Sequence, residues 1–265
     1  MKKCLIFGIC FVFVVGIESA YGQPLKRHTL EIRPEIYYFT YKEPGVMKDH
    51  GVMYGAALSY TYHRGVMLKA EARGAWGHVD YINSGSINHI RDYVLEFRGL
   101  GGWDFILDKS ISMTPYIGIG YRYLNDDTSG RVSSTGALGY ERESNYIYSP
   151  LGLEFNIDLG NKWSLGEIAE FDYFWWGKQK SHLSDVFPGF NDLSNRQKSG
   201  WGFRGSLALR KQFKVVDFEF GPFIRYWQIK KSEEDIWTLF GFPIGIGWEP
   251  KNRSTEIGIM MALKF

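Results

Sequence analysis

Beyond its tenth residue the chain has no cysteine; Cys4 and Cys10 are the two it contains. Disulfides and thiolate metal sites are therefore excluded from everything downstream. Long apolar runs are missing as well. After the opening segment no stretch approaches the roughly 18 consecutive apolar residues that a membrane-spanning helix needs. Charge of one sign is not in excess, since 31 Lys and Arg stand against 29 Asp and Glu. That balance gives no basic stripe for nucleic acid. No Pro/Ser-rich linker divides the chain. The histidines at 28, 50, 63, 78, 89 and 182 form no H-x-x-x-H pair, so no metal and no cofactor is expected. Gly241 to Gly247 is glycine-rich but lacks the Lys-Ser/Thr of a phosphate loop.

What is present begins with Met1 to Gly22, which reads as a secretory leader. Lys2 and Lys3 open it, the apolar run Cys4 to Ile17 follows, and Ala20-Tyr21-Gly22 supplies small residues for cleavage. Cys10 follows Phe7-Gly8-Ile9, which is no lipoprotein box. Cleavage near Gly22 leaves 23–265 as one domain. Its aromatic content of 17% is high. Tyr and Trp concentrate where a bilayer meets water. The last stretch, Ser254 to Phe265, alternates without a break: Ile257, Ile259, Met261, Leu263 and Phe265 on one parity, Glu256, Gly258, Met260, Ala262 and Lys264 on the other. Neighbouring side chains on a strand point to opposite faces, so this strand has one apolar and one mixed face.

Ten segments show that period: His28 to Tyr41, Val52 to Tyr62, Val66 to Asp80, Arg91 to Phe105, Met113 to Asn125, Asn145 to Asp158, Trp163 to Lys178, Gly200 to Phe213, Val216 to Ile229 and Ser254 to Phe265. Short connections alternate with long ones. The long ones are Pro44 to Gly51, Tyr81 to Ile90, Asp126 to Ser144, Gln179 to Ser199 and Lys230 to Arg253. Short periplasmic turns, long outer loops and an aromatic-rich, secreted, cysteine-free chain resemble the Gram-negative outer-membrane β-barrels. The resemblance implies an all-β, closed antiparallel transmembrane barrel of about ten strands, monomeric, in the outer membrane. It also implies contact with lipid and lipopolysaccharide, and reading of Phe265 by the barrel-assembly machinery. A soluble barrel would carry the same period with its faces exchanged.

With the apolar parity toward lipid, the lumen receives Glu31, Arg33, Glu35, Lys69, Glu71, Arg73, Glu96, Arg98, Arg122, Glu154, Glu170, Asp172, Arg204, Arg210, Glu219, Arg225 and Glu256. Signs alternate two residues apart, as in Glu31-x-Arg33-x-Glu35, which favours ion pairs across strands. A lumen of ten strands is narrow enough for side chains to fill it, and a pore lining would show an excess of one sign. A plugged polar core is expected. Gly118, Gly120 and Gly152, on the same parity, make room for Arg and Tyr side chains. Glu167 falls on the lipid parity and is a fault in the pattern.

Ten strands with long outer loops also resemble the omptin proteases, most clearly from Tyr146 to Lys178, where a strand, a Gly160-Asn161 turn and an aromatic-rich strand follow in order. The resemblance implies water activated between an Asp-His pair and two Asp across the mouth. His182 stands at the histidine position, but Lys180 occupies the place of its acid. Across the mouth Asp80 is one candidate, with Ile82 in place of the second. Separately, His182-Leu183-Ser184 is similar to the His-x-Ser of outer-membrane lipid A deacylases, in which histidine activates serine. Continued alternation from Trp176 and Lys178 turns His182 inward, and Asp185 replaces the Asn that follows in that family. These matches leave Asp80, His182 and Ser184 as strand-end polar residues, and no catalysis is expected. Asp126-Asp127 and Glu233-Glu234-Asp235 read as solvated loop acids.

The fifth outer loop is apolar where it should face water, with Trp237, Phe240, Phe242 and Trp248 as candidate binding residues. They form either a hairpin above the membrane or a surface for a ligand. The chain is thus expected to be a plugged outer-membrane barrel with a structural or surface-interaction role. An omptin-like hydrolase and a small-solute channel are the alternatives.

Overall fold

Strict alternation leaves the long segments one way to satisfy both faces and every backbone group in lipid, which is to close on themselves. The computed structural model describes residues 26–265; the leader lies outside them. In chain order the strands are β1 (His28–Glu43), β2 (Met47–His63), β3 (Val66–Ile82), β4 (Ile87–Trp103), β5 (Phe105–Asp108), β6 (Ile111–Asp127), β7 (Glu141–Gly160), β8 (Trp163–Ser181), β9 (Leu193–Gln197), β10 (Gly200–Gln212), β11 (Asp217–Ile229), β12 (Asp235–Leu239), β13 (Phe242–Gly247) and β14 (Asn252–Lys264). The ten long strands pair antiparallel in a ring. It runs β1, β2, β3, β4, β6, β7, β8, β10, β11, β14 and back to β1. Phe265 and Leu30 exchange two backbone hydrogen bonds of 2.9 and 3.2 Å where the ring closes. Short β5 forms a periplasmic hairpin with β6, and short β9 extends the ladder on β8 above the point where β10 takes over. At the tight β7–β8 turn Asn161 and Lys162 both adopt positive φ, 51° and 65°, the mirror-image turn that matches strand twist.

Ile32, Ile36, Leu58, Leu95, Ile119, Leu151, Leu207, Ile257 and Ile259 face outward and are exposed. They lie between an outer row that includes Tyr54, Trp76, Tyr93, Trp175 and Trp201 and an inner row that includes Trp103, Phe105, Phe213 and Phe265, all exposed. Apolar outside and charged inside is the arrangement of a barrel in lipid. Glu167 also faces outward, between Phe155 and Leu207 of the flanking strands.

Every charged residue assigned to the lumen faces inward, and none is exposed. Arg73 bonds Glu35 at 2.6 Å and Glu256 at 2.7 Å, and Arg225 reaches the same two carboxylates at 2.7 and 3.0 Å. Arg122 adds a 2.8 Å bond to Glu256. Arg204 contacts Glu96, Glu170 and Asp172, Arg33 contacts Glu31 and Glu71, and Arg98 joins Glu71 to Glu170. Near the periplasmic end Arg210 and Lys264 both hold Glu219, at 2.9 and 2.7 Å. Lys264 also reaches Glu31, a lumen cation that the alternation of the last strand contains and that completes the lower network. Lys69 and Glu154 line two internal cavities of about 50 and 80 Å³.

Two glycines do the spacing expected of them. Gly120 sits opposite Tyr148, and Gly152 opposite Tyr116, on paired strands β6 and β7. A Cβ at either glycine would fall 2.2 Å from the ring of its tyrosine. The hydroxyls, freed to reach across, donate to Glu96 and Glu170 at 2.7 and 2.8 Å. Gly118 instead backs onto Gly99 and Leu100.

Above the ion pairs lies an apolar storey of Tyr37, Phe39, Met53, Val94, Tyr146, Phe174 and Trp227, all buried. Two loops expected to be long are not. β1 and β2 continue to a turn at Pro44 to Val46, and β3 and β4 to one at Asn83 to Ser86. Hydrophobic alternation fades there because both faces meet polar surroundings, yet the backbone ladder continues.

Candidate functional site

The outer mouth gathers the groups that the barrel wall does not need. Its floor is a cluster drawn from three distant segments. Arg142 of β7 donates to Glu43 of β1 at 2.5 Å and to Glu249, between β13 and β14, at 2.7 Å. The Tyr41 hydroxyl donates to Glu249 at 2.7 Å. Burial pushes the Glu249 carboxyl up to about 7, and the adjoining Glu43 adds to the rise against the pull of Arg142. Below and beside this cluster Asp49, Asp92 and Asp126 face inward around a cavity of about 30 Å³. Asp92 and Asp126 are directly opposed on β4 and β6. Asp49 is 2% and Asp92 8% exposed, and one oxygen of each of the three has no hydrogen-bond partner. Five carboxylates thus surround one guanidinium. None of the five was assigned to the lumen from sequence: Glu43, Asp49 and Asp126 lie on strand extensions that read as loop, Glu249 lies between β13 and β14, and Asp92 stands at the outer end of the expected segment Arg91 to Phe105.

Over the floor opens a vestibule of about 500 Å³, walled by Ile87, Leu138, Leu193, Trp237, Ile246 and Trp248. β12 and β13 form their own two-stranded sheet rather than extending the barrel. Its tip, Phe240 and Gly241, has positive φ at both residues. One face packs down: Trp237 lies 4.9 Å from Phe190, and the Asn191 side chain accepts the Thr238 N–H at 2.6 Å. The other carries Ile236 opposite Ile246, with Ile244, both exposed phenylalanines and Trp248 continuing the apolar surface. Phe240 and Phe242 are 71% and 75% exposed. Of the four candidate binding residues, Phe240, Phe242 and Trp248 are thus open to solvent, while Trp237 braces the hairpin.

Asp80 and His182 do not meet in the mouth. Asp80 lies on the outward parity of β3, where its carboxylate accepts the His89 N–H at 2.9 Å. His182 also faces outward, contrary to the alternation read from Trp176 and Lys178. A bulge causes this: Ile147 pairs with Trp176 but Tyr148 with Phe174, so Trp175 is an extra residue. One inserted residue sends every later side chain to the opposite face. Gly177, Gln179 and Ser181 point in; Lys178, Lys180 and His182 point out. There His182 Nε2 lies 3.2 Å from Glu143 and Nδ1 3.3 Å from Asp192. Ser184 donates its hydroxyl to Asp192 at 2.7 Å rather than to the imidazole. The serine is held by the acid, and the hydrogen bond that would activate it is not formed.

On the far side of the barrel Arg253, Lys42 and Lys48 stand in register on β14, β1 and β2. His50, His78 and Arg91 also face outward on this wall, with Asp80 opposite His50 and Asp127 opposite Arg91. Lower on the wall a lipid-facing groove of about 630 Å³ runs over Ala70, Ala72 and Gly99.

No family model and no curated protein matches this chain. Several solved barrels do. The transport unit of the autotransporter AIDA-I from Escherichia coli is 10% identical, with TM-score 0.45, over 94% of this chain and 92% of that one. The Pseudomonas putida toluene transporter TodX is 11% identical, with TM-score 0.35, over 91% and 90%. Ail, the attachment invasion locus protein of Yersinia pestis, is 7% identical, with TM-score 0.34, over 91% and 100%. The closed ring, the apolar outer belt between two aromatic rows and the charged interior make this chain a ten-stranded antiparallel β-barrel of the outer-membrane type.

Proposed function

We propose that the protein is a non-conducting outer-membrane barrel that holds a rigid apolar hairpin above the cell surface for recognition. The observation that carries this reading is the β12–β13 hairpin. Trp237 braces it on Phe190, Thr238 on Asn191, and one edge of Phe240 on Phe187, while Phe242, the isoleucines and the rest of Phe240 face solvent. Contiguous exposed apolar surface of this kind marks interaction sites, and loops held by a rigid scaffold are where binding residues collect. The interior supports the non-conducting half. Paired charges and the aromatic storey leave internal cavities of about 30 to 80 Å³, and signs in the lower lumen are balanced, whereas pores favour one sign.

The in-register cations Arg253, Lys42 and Lys48 stand above the outer aromatic row, at the level of lipid headgroups. Like charges directly opposed cost energy unless anions sit between them. Phosphate groups of lipopolysaccharide supply such anions, and the barrel is proposed to seat its outer rim on them as a monomer.

The deciding experiment displays the intact barrel on cells and compares it with a Phe240→Ser/Phe242→Ser variant at equal folded levels. The wild type is expected to bind immobilised protein surfaces or to aggregate cells, and the variant to lose that binding about tenfold or more, as loss of buried aromatic anchors does. Equal binding by both would remove the recognition role. Reproducible conductance steps from purified protein in planar bilayers would replace it with a channel.

A further inference from the structure

We propose that Glu141, Glu143 and His182 form a divalent transition-metal site on the outer wall of the barrel. Asp192 is the carboxylate that orients the histidine from behind. One donor atom of each of the three residues lies within 4.8 Å of the other two. Ligands at about 2.0–2.2 Å from a tetrahedral ion sit about 3.3–3.5 Å apart. The His182–Glu143 contact of 3.2 Å already matches that spacing, and a Glu141 donor lies within 4.8 Å of both.

The imidazole argues for the ion. Both its nitrogens face carboxylates, Asp192 from Nδ1 at 3.3 Å and Glu143 from Nε2 at 3.2 Å. A neutral imidazole has one N–H and satisfies one of them; an imidazolium donates to both but sets a single positive charge against Glu141, Glu143 and Asp192. With that proton on Nδ1 toward Asp192, the Nε2 lone pair faces Glu143 and Glu141, and a cation between them satisfies all three. A carboxylate behind a ligating histidine is the usual means of fixing its tautomer.

The other ligands are held in the same way. Tyr123 donates its hydroxyl to Glu143 at 2.6 Å, and Asn125 donates its amide to Glu141 at 2.6 Å. Asp192 is itself fixed by the hydroxyl of Ser184 at 2.7 Å. Glu141, Glu143 and Asp192 bring three negative charges to this corner, Asp185 and Asp127 stand beside Glu141, and Lys180, 3.4 Å from Asp192, returns one positive charge. A divalent ion offsets part of the negative excess. Mixed imidazole and carboxylate donors suit zinc and its neighbours better than calcium, which takes six or more oxygens. The site rests on the bulge at Trp175, which sets His182 on the same outward face as Glu143.

The test uses full-length refolded protein in detergent, free of any histidine tag and stripped with EDTA, titrated with zinc chloride by calorimetry. One equivalent is expected to bind, unaffected by millimolar calcium. His182→Ala and Glu143→Gln should each weaken binding at least about tenfold, and Asp192→Asn about tenfold through the histidine alone. Heat-modifiable migration shows in each case that the barrel is folded. No saturable binding overturns the proposal. So does binding that survives in His182→Ala, as the His78 and His89 rings, 6.2 Å apart on β3 and β4, would give, or binding that calcium displaces at equal concentration.

Discussion

The lower lumen and the outer mouth are lined by the same residue types and solve opposite problems. Below the aromatic storey, each arginine of the network touches at least one carboxylate, and the central carboxylates Glu35 and Glu256 are shared by two and three arginines. Above it, Asp49, Asp92, Asp126, Glu43 and Glu249 share Arg142. A buried charge costs several kcal/mol unless it is paired, so the lower region holds the ring together. The mouth instead crowds five inward-facing carboxyls around one guanidinium, and there burial favours the protonated form, as it does for Glu249. Stability and availability for binding are separated along one axis.

The largest effect should come from breaking the paired side. Arg73→Met leaves Glu35 and Glu256 each one partner short and should cost about 3–5 kcal/mol, read as a lower urea midpoint for loss of the heat-modifiable form. An unchanged midpoint would mean that the lower network is ornamental and the comparison empty.

Arg142→Gln removes the cation that Glu43 and Glu249 share. The barrel transition should move by no more than about 1 kcal/mol, because the wall below is untouched, while limited proteolysis around β12–β13 should speed up about tenfold as the floor that ties Glu43 to Glu249 loosens. Cooperative unfolding of the whole barrel in this variant would show that the two regions are one unit.

Acidity tunes the same latch. Glu249 holds its proton up to about pH 7 in the fold and releases it near the usual carboxylate value when exposed. The stabilisation is complete below about pH 4.5 and is lost as the pH rises through about 7. Arg142 opposes the shift, and Glu43, beside it, reinforces it. Amide protection factors in the β12–β13 hairpin, corrected for base-catalysed intrinsic exchange, should therefore be about tenfold higher at pH 5.5 than at pH 8, and Glu249→Gln should flatten the difference. A steeper dependence in the variant would assign the titration elsewhere.

The smallest expected effect is a gain. Asp92→Asn removes one of two opposed carboxylates and should raise stability by about 0.5–1 kcal/mol. A loss of similar size would show that Asp92 is paired with something.

The wall was legible in the sequence because lipid enforces strict alternation: Leu151, Leu153 and Leu207 face out, and Glu154, Arg204 and Arg210 face in, as their parity required. The hairpin was legible as an apolar run in a polar loop. The mouth was not. Beyond the aromatic row both faces of a strand are polar, so β1–β2 and β3–β4 read as loop where the ladder continues. Arg142, Glu43 and Glu249 come from positions about a hundred residues apart in sequence. The His182 face was misread for a narrower reason. Phe174-Trp175-Trp176 is apolar on both parities, so a bulge inside it leaves no trace in the pattern. Two adjacent tryptophans where one should point into the lumen were the available signal.

The two tyrosine–glycine pairs on β6 and β7 bear on how this sequence can drift. With a tyrosine ring lying where the Cβ would be, Gly120 and Gly152 cannot become even alanine while Tyr148 and Tyr116 remain. Replacing a tyrosine first would leave a hole beside the glycine and strip Glu96 or Glu170 of a hydroxyl donor. Neither single step is neutral, so each pair is expected to change together or not at all. Among related chains, glycine and tyrosine at these crossings should vary as linked characters, which makes them better markers of common descent than the apolar belt, where leucine and isoleucine exchange freely.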